Sequence, residues 1–282
     1  MKPAAFAYAR ARSLEHAIDL IKGHDARARL LAGGQSLIAT LNMRLDAPDL
    51  LVDINHVPGL DGIARRNGSV EIGALVRHAA AEHSGLVREF APLIAKAMPH
   101  IGHPAIRNRG TMGGSIAFAD PAAELPACLL ALAAEIDICG PHGGRTVTAD
   151  DFFKDLFETA LGRDDVLTAI RVPAATAETR TGFAEFCRRH GDYAMVGLAA
   201  SAQADGKSLR DLRLAFFGVG STPVRARRAE AALVNGTVGD AVEALAGDLK
   251  PQDDVQASAA TRRHLAGVLL RRVVGELMGS PS

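Results

Sequence analysis

Two short glycine runs constrain this chain more than anything else in it: Leu31-Ala32-Gly33-Gly34-Gln35-Ser36-Leu37 and Arg109-Gly110-Thr111-Met112-Gly113-Gly114-Ser115. The first follows an apolar, strand-like run, Ala28 to Leu31. It opens a helix-like run with apolar residues at 37, 38, 41 and 45. Paired glycines let the backbone turn tightly and admit a ligand where a Cβ would block it. A helix start behind them offers unpaired N–H groups and the positive end of a dipole. Ser36 is placed to cap that helix or to donate to a phosphate. Neither run is a G-x-G-x-x-G fingerprint, and neither carries the lysine of a Walker loop. Each alone is equally served by a tight strand-to-helix turn. Two in one unit suggest a long ligand anchored twice, such as a dinucleotide.

The 282 residues suit about two domains, and 48% apolar with 23% charged residues excludes extended disorder. Lys+Arg and Asp+Glu are both 32, so the basic footprint of a nucleic-acid binder is missing. A neutral chain with only six lysines suits a place inside a complex. Cys128, Cys139 and Cys187 are odd in number and lack C-x-x-C spacing. A disulfide framework, or a four-cysteine zinc or iron–sulfur site built by this chain alone, is excluded. The start, Met1 to Phe6, has no apolar signal core, and the longest apolar stretches, such as Pro126 to Ala134, are too short to span a bilayer. The expected compartment is the cytoplasm. No G-x-S-x-G elbow or Ser-His-Asp order supports a hydrolase.

The first 55 residues read as β-α-β, with a second strand at Leu50 to Ile54. Val70 to Leu75 reads as a strand, Arg77 to Met98 as a helix broken near Ser84-Gly85, and Pro99 to Gly114 as a long loop. Ala122 to Ala134 reads as a helix, with Asp120-Pro121 as its N-cap and first turn and Glu124 one turn inside. Residues 136–148 read as a hairpin and Val166 to Val172 as a strand. Pro173 to Thr181 is polar and without periodicity, which places a domain boundary there. Beyond it, three strands (Gly182 to Arg188, Ala194 to Gln203, Leu209 to Val219) precede helical pieces at Val224 to Val234, Gly239 to Gly247 and Ala257 to Met278. Strands followed by helices imply an α+β unit.

Four stretches together carry a resemblance: Ala32 to Ser36; Ile101-Gly102-His103-Pro104-Ala105-Ile106-Arg107-Asn108-Arg109-Gly110-Thr111-Met112-Gly113-Gly114-Ser115; Asp120-Pro121-Ala122-Ala123-Glu124-Leu125-Pro126; and Gly191-Asp192-Tyr193-Ala194. The chain resembles, nearly end to end, the FAD-binding medium subunit of molybdenum hydroxylases, the family of xanthine dehydrogenase and aerobic carbon monoxide dehydrogenase. The resemblance implies an α+β fold: a two-subdomain FAD-binding domain of the p-cresol methylhydroxylase/vanillyl-alcohol oxidase type (1–55 and 56–176), then a C-terminal antiparallel sheet-and-helix domain (177–282). It implies one non-covalent FAD, held at its phosphates by the two glycine runs. The implied contacts are Leu31, Ala32, Gly33, Gly34, Gln35, Ser36 and Leu37, then Thr111, Gly113, Gly114 and Ser115. Ile101 would pack near the flavin ring, Asp120 and Glu124 near the sugar and adenosine part, and Leu161 against the adenine. Tyr193 would stand beside the isoalloxazine as the residue closest to catalysis, shielding one face. Molybdopterin and two [2Fe–2S] clusters are expected only in a large and a small partner subunit, in a dimer of heterotrimers. No nucleic acid, membrane span or metal ligand is expected.

One departure stands out. The xanthine dehydrogenase branch would have a flavin-holding lysine where Cys187 lies, with Arg188 or Arg189 the nearest substitutes. Cys187 itself reads as an inert strand residue. His100 and His103 lie among prolines without a third ligand, which argues against a metal site. Arg107 and Arg109 read as loop braces, and Arg225-Ala226-Arg227-Arg228 as a solvated helix face. Against the subunit reading stand a stand-alone flavin oxidoreductase and a structural subunit that no longer binds FAD.

Overall fold

The central strand of the N-terminal sheet, Leu50–Asp53, is buried throughout, and Ala7–Arg10 and Ala28–Leu31 pair parallel to it on either side. The computed structural model describes residues 2–24, 27–206 and 208–279. Met1 and Ser282, the outer bounds of the expected units, lie outside them. Two elements join the expected β-α-β: the strand Ala7–Arg10 and the helix Leu14–Lys22, whose cap Ser13 accepts the His16 N–H at 3.1 Å. Helix Leu37–Asn42 follows the first glycine run.

A second, antiparallel sheet has the order Ile63–Arg66, Ser69–Gly73, Val166–Pro173, Glu135–Gly140, Gly143–Thr148. Helices cover it. The expected helix from Arg77 to Met98 is three, His78–His83, Gly85–Phe90 and Pro92–Ala97, broken at the Ser84 cap and again before Pro92. The expected long loop contains a helical turn, Pro104–Arg107, and the start of helix Met112–Phe118. Gly113 and Gly114 are poor helix formers. The Thr111 hydroxyl offsets this by accepting the Gly114 N–H at 3.1 Å. The next helix begins at Glu124, not Ala122. Its N-cap is Ala123, and Asp120 instead caps a turn ahead of it, accepting the Ala122 N–H at 2.9 Å. Glu124 is therefore the first residue of the helix.

The C-terminal part is a sheet in the order Thr179–Phe186, Val196–Asp205, Ser208–Phe217, Val224–Arg225. Val224 and Arg225 are strand, so the helix expected from Val224 begins at Arg227. Helices Arg227–Asn235, Val238–Asp248 and Ala259–Leu277 pack beside the sheet. Side chains alternate across a sheet. Accordingly Leu198, Ala200, Leu214 and Phe216 join the core with helix Ala259–Leu277, while Ala199, Ala215 and Phe217 join the core of the N-terminal part. Helix Glu124–Ala131 is buried along its whole length in that second core. The mixture of helices and sheets bears out the α+β expectation. Among the described residues no helix is long and apolar enough to cross a membrane.

Candidate cofactor site

A cavity of about 530 Å³ opens where the two glycine runs meet. The size is that of a cofactor pocket. Residues from 29–37, 101–124 and 191–193 line it, so all four expected stretches converge.

The two runs touch through backbone. A Cβ on Gly33 would overlap the Arg109 carbonyl oxygen and lie 2.9 Å from the Gly110 Cα. Gly34 has φ +74°, a conformation natural to glycine. Gly113 lies against strand end Ala74, where a Cβ would come within 2.5 Å of the Ala74 Cβ. These glycines are thus required first by loop-on-loop and helix-on-strand packing.

Of the expected contacts, Ala32 to Leu37, Ile101, Thr111, Gly113 to Ser115, Asp120, Glu124 and Tyr193 all line the cavity. Leu31 and Leu161 do not. The Leu31 carbonyl is taken by the Ile54 N–H and the Asn55 amide. Leu161 packs on the N-terminal core.

Polar groups in the cavity are left with bonding capacity. Ser36 stands at the N-cap of its helix without a side-chain cap bond, so its hydroxyl is available. Glu124 is 7% exposed, and burial pushes its carboxyl up to about 7, with Glu185 and Asp120 adding and its own backbone N–H and His100 opposing. Burial also raises the Asp120 carboxyl, with the Ala122 N–H and the nearby Tyr193 hydroxyl opposing. Burial, then the charge of Asp120, pushes the Tyr193 phenol up to about 12. Tyr193 is nonetheless 57% exposed, at the edge of the cavity it lines.

His78, which sequence reasoning missed, also lines the cavity. Its Nε2 bonds the Thr111 carbonyl at 2.9 Å, so Nε2 carries the proton and Nδ1 is a buried acceptor without a partner. Burial brings the ring down to about 4, which keeps it neutral. A lone histidine in the run Val76-Arg77-His78-Ala79 gives no signal of this. Arg29 and Asp192 were also missed; both line the cavity. The set fits a dinucleotide with hydroxyl groups: an available serine hydroxyl and a buried carboxyl, both lining the cavity.

Other expectations resolve as follows. Arg107 braces the loop, bonding Glu82 at 2.7 Å and the Ile101 and Gly102 carbonyls. His100 faces Glu185 at 3.3 Å. Among the described residues no group of three ligand side chains could hold a metal. In the basic run Arg227 and Arg228 are exposed at the start of their helix, as expected, whereas Arg225 is half-buried on Glu230; Arg227 also joins Arg213 on Asp150 of the N-terminal part. Burial and then Glu185 push the Cys187 thiol up, away from thiolate reactivity. Arg188 bonds the Val255 and Gln256 carbonyls.

A cavity closed by two glycine loops, with carboxylates on one wall and a tyrosine from a second unit at its mouth, defines a dinucleotide-binding protein. Residues 4–175 match the family described as the FAD binding domain in molybdopterin dehydrogenase, and residues 181–277 the CO dehydrogenase flavoprotein C-terminal domain. The chain is 38% identical to the 6-hydroxypseudooxynicotine dehydrogenase complex subunit alpha of Paenarthrobacter nicotinovorans, over 99% of this chain and 96% of that one. It is 33% identical to the carbon monoxide dehydrogenase medium chain of Hydrogenophaga pseudoflava, over 97% of each. Carbon monoxide dehydrogenase from Hydrogenophaga pseudoflava gives a TM-score of 0.96 at 35% identity over 99% of both chains. Quinoline 2-oxidoreductase from Pseudomonas putida 86 gives 0.93 at 35%, over 99% of both. This chain belongs to the family of FAD-binding subunits of molybdenum hydroxylases, and is an oxidoreductase component.

Proposed function

We propose that the chain is the electron-transferring FAD subunit of a heterotrimeric molybdenum hydroxylase. The observation that carries this is the meeting of two glycine loops on one cavity that also holds a buried carboxylate with bonding capacity. In this reading the first loop, with Ser36, and the second, from Thr111 to Ser115, hold the phosphates of FAD. Glu124 accepts hydrogen bonds from its hydroxyls, and Ile101 packs beside its flavin end. Tyr193, near Asp120, covers one face of the ring.

When bound, FAD supplies the redox chemistry by which electrons from [2Fe–2S] clusters of a small subunit reach a terminal acceptor. The protein's part is to bind and orient the group. Molybdopterin belongs to a large subunit, and the assembly is a dimer of such trimers. Each share of the work fits what the chain lacks: its three cysteines cannot build either cluster. Support also comes from relatives named as a dehydrogenase complex subunit and a dehydrogenase medium chain, matched over 96% and 97% of their length.

The purified chain is expected to take up one FAD and to be bleached by dithionite. Substrates of the full enzyme bleach it only after the two partner subunits are added. Oxidation of such a substrate by the single chain would replace the reading with a stand-alone oxidoreductase.

A further inference from the structure

The glycine loops belong to different sheets, and two polar residues bridge them. Asn55 follows the strand Leu50–Asp53 of the first sheet. Its amide Nδ2 donates to the Ala32 carbonyl at 2.9 Å, the Leu31 carbonyl at 3.2 Å and Asp53 Oδ1 at 2.7 Å. All three neighbours are acceptors, which fixes the orientation of the amide and turns Oδ1 the other way. There it accepts from Arg77 at 2.6 Å.

Arg77 lies beside the second sheet. Its segment runs alongside the second loop: the His78 N–H meets the Gly110 carbonyl at 3.0 Å and the Met112 N–H the Val76 carbonyl at 2.9 Å. The other arm of its guanidinium donates to the Arg109 carbonyl. That is the carbonyl against which Gly33 packs. Behind Asn55, Asp53 is held by the Tyr8 hydroxyl at 2.5 Å. Burial works against the Asp53 charge, but the bonds from Tyr8 and Asn55 outweigh it and hold the carboxyl below its usual range.

We propose that Arg77 and Asn55 are positioning residues that latch the two glycine loops at a fixed separation, and that this separation sets how tightly FAD is held. Neither lines the cavity, so they act through the loops. A planar fork can reach both acceptors at once, which a lysine ammonium at one point cannot. The proposal rests on the cofactor reading above. That reading fails separately if the wild-type apoprotein takes up no FAD.

The test titrates FAD, and ADP as a flavin-free probe, into full-length apoprotein of the wild type, Arg77→Ala, Asn55→Ala and the double variant. Each single change is expected to weaken FAD by about tenfold or more, and ADP by a similar factor. Because the two residues form one device, the double variant is expected to bind within about twofold of the weaker single. Arg77→Lys, keeping one of two bonds, falls between wild type and Arg77→Ala. Should Arg77→Ala fail to fold, Arg77→Gln is measured in its place. The latch is overturned if a single variant holds FAD as tightly as wild type. It is also overturned if the two losses multiply in the double variant, because independent structural damage does that and a shared latch does not.

Discussion

Glu124 shows how a residue can be legible in sequence while its chemistry is not. Its position in the Asp120-Pro121-Ala122-Ala123-Glu124 run marks a carboxylate at the site. Only the structure shows that carboxylate buried, beside Asp120 and facing the field of Glu185, with its carboxyl raised to about 7. The partner comes from strand Thr179–Phe186, remote in sequence, so no local spacing could announce it. Two expectations follow. The folded apoprotein holds this proton up to about pH 7, whereas an unfolded carboxyl releases it near 4.3. Between those values the folded state keeps the Glu124 proton, so the contribution of this group to apoprotein stability is full at the acid end and is lost as pH rises toward 7. His78, brought down to about 4, contributes the opposite slope up to about pH 6.5. Hydrogen bonds from ligand hydroxyls favour the ionised form, so FAD affinity rises with pH over the same window and one proton is released. Calorimetric titrations in two buffers of different ionisation heat check this. Glu124→Gln removes the proton release and weakens FAD by about 1.5–3 kcal/mol.

Among elements, those with strong period or punctuation were readable: the strands at 28–31, 50–53 and 166–173, the 135–148 hairpin and the three long C-terminal strands. The helix Leu14–Lys22 is absent from the expected β-α-β although Leu14, Ala17, Ile18 and Ile21 share one face. Strand Ala7–Arg10 is mostly exposed and offers no alternation to read. Helix Met112–Phe118 hides behind its own glycines, which sequence reading takes for loop. The contacts of those glycines set the next expectations. Gly33→Val forces the two loops apart, costing about 1–3 kcal/mol of stability together with FAD affinity. Gly114→Val displaces the Thr111 hydroxyl, 2.7 Å from the new Cβ, and so removes a helix cap. Its effect on thermal unfolding should match that of Thr111→Ala, about 1 kcal/mol. A Gly33→Val apoprotein as stable as the wild type would show that the loops do not depend on this contact.

Across the whole molecule the C-terminal sheet is shared. One face serves helix Ala259–Leu277, and the other, with Ala199, Ala215 and Phe217, completes the core that surrounds helix Glu124–Ala131. A continuous apolar interface of this kind leaves little room for independent melting. Calorimetry of the apoprotein is expected to show one unfolding transition, and two resolved transitions would contradict it. The composition could suggest two units and a neutral surface suited to partners. It could not show that the tyrosine of one unit would come to lie near an aspartate of the other. Helix Glu124–Ala131 is both the wall that presents Glu124 to the cavity and the spine on which the second unit closes. A newly made chain whose C-terminal part has not yet docked has neither a seated spine nor Tyr193 at the mouth. If Tyr193 covers the flavin as proposed, yellow colour is expected to be kept only by chains whose two halves have already found each other.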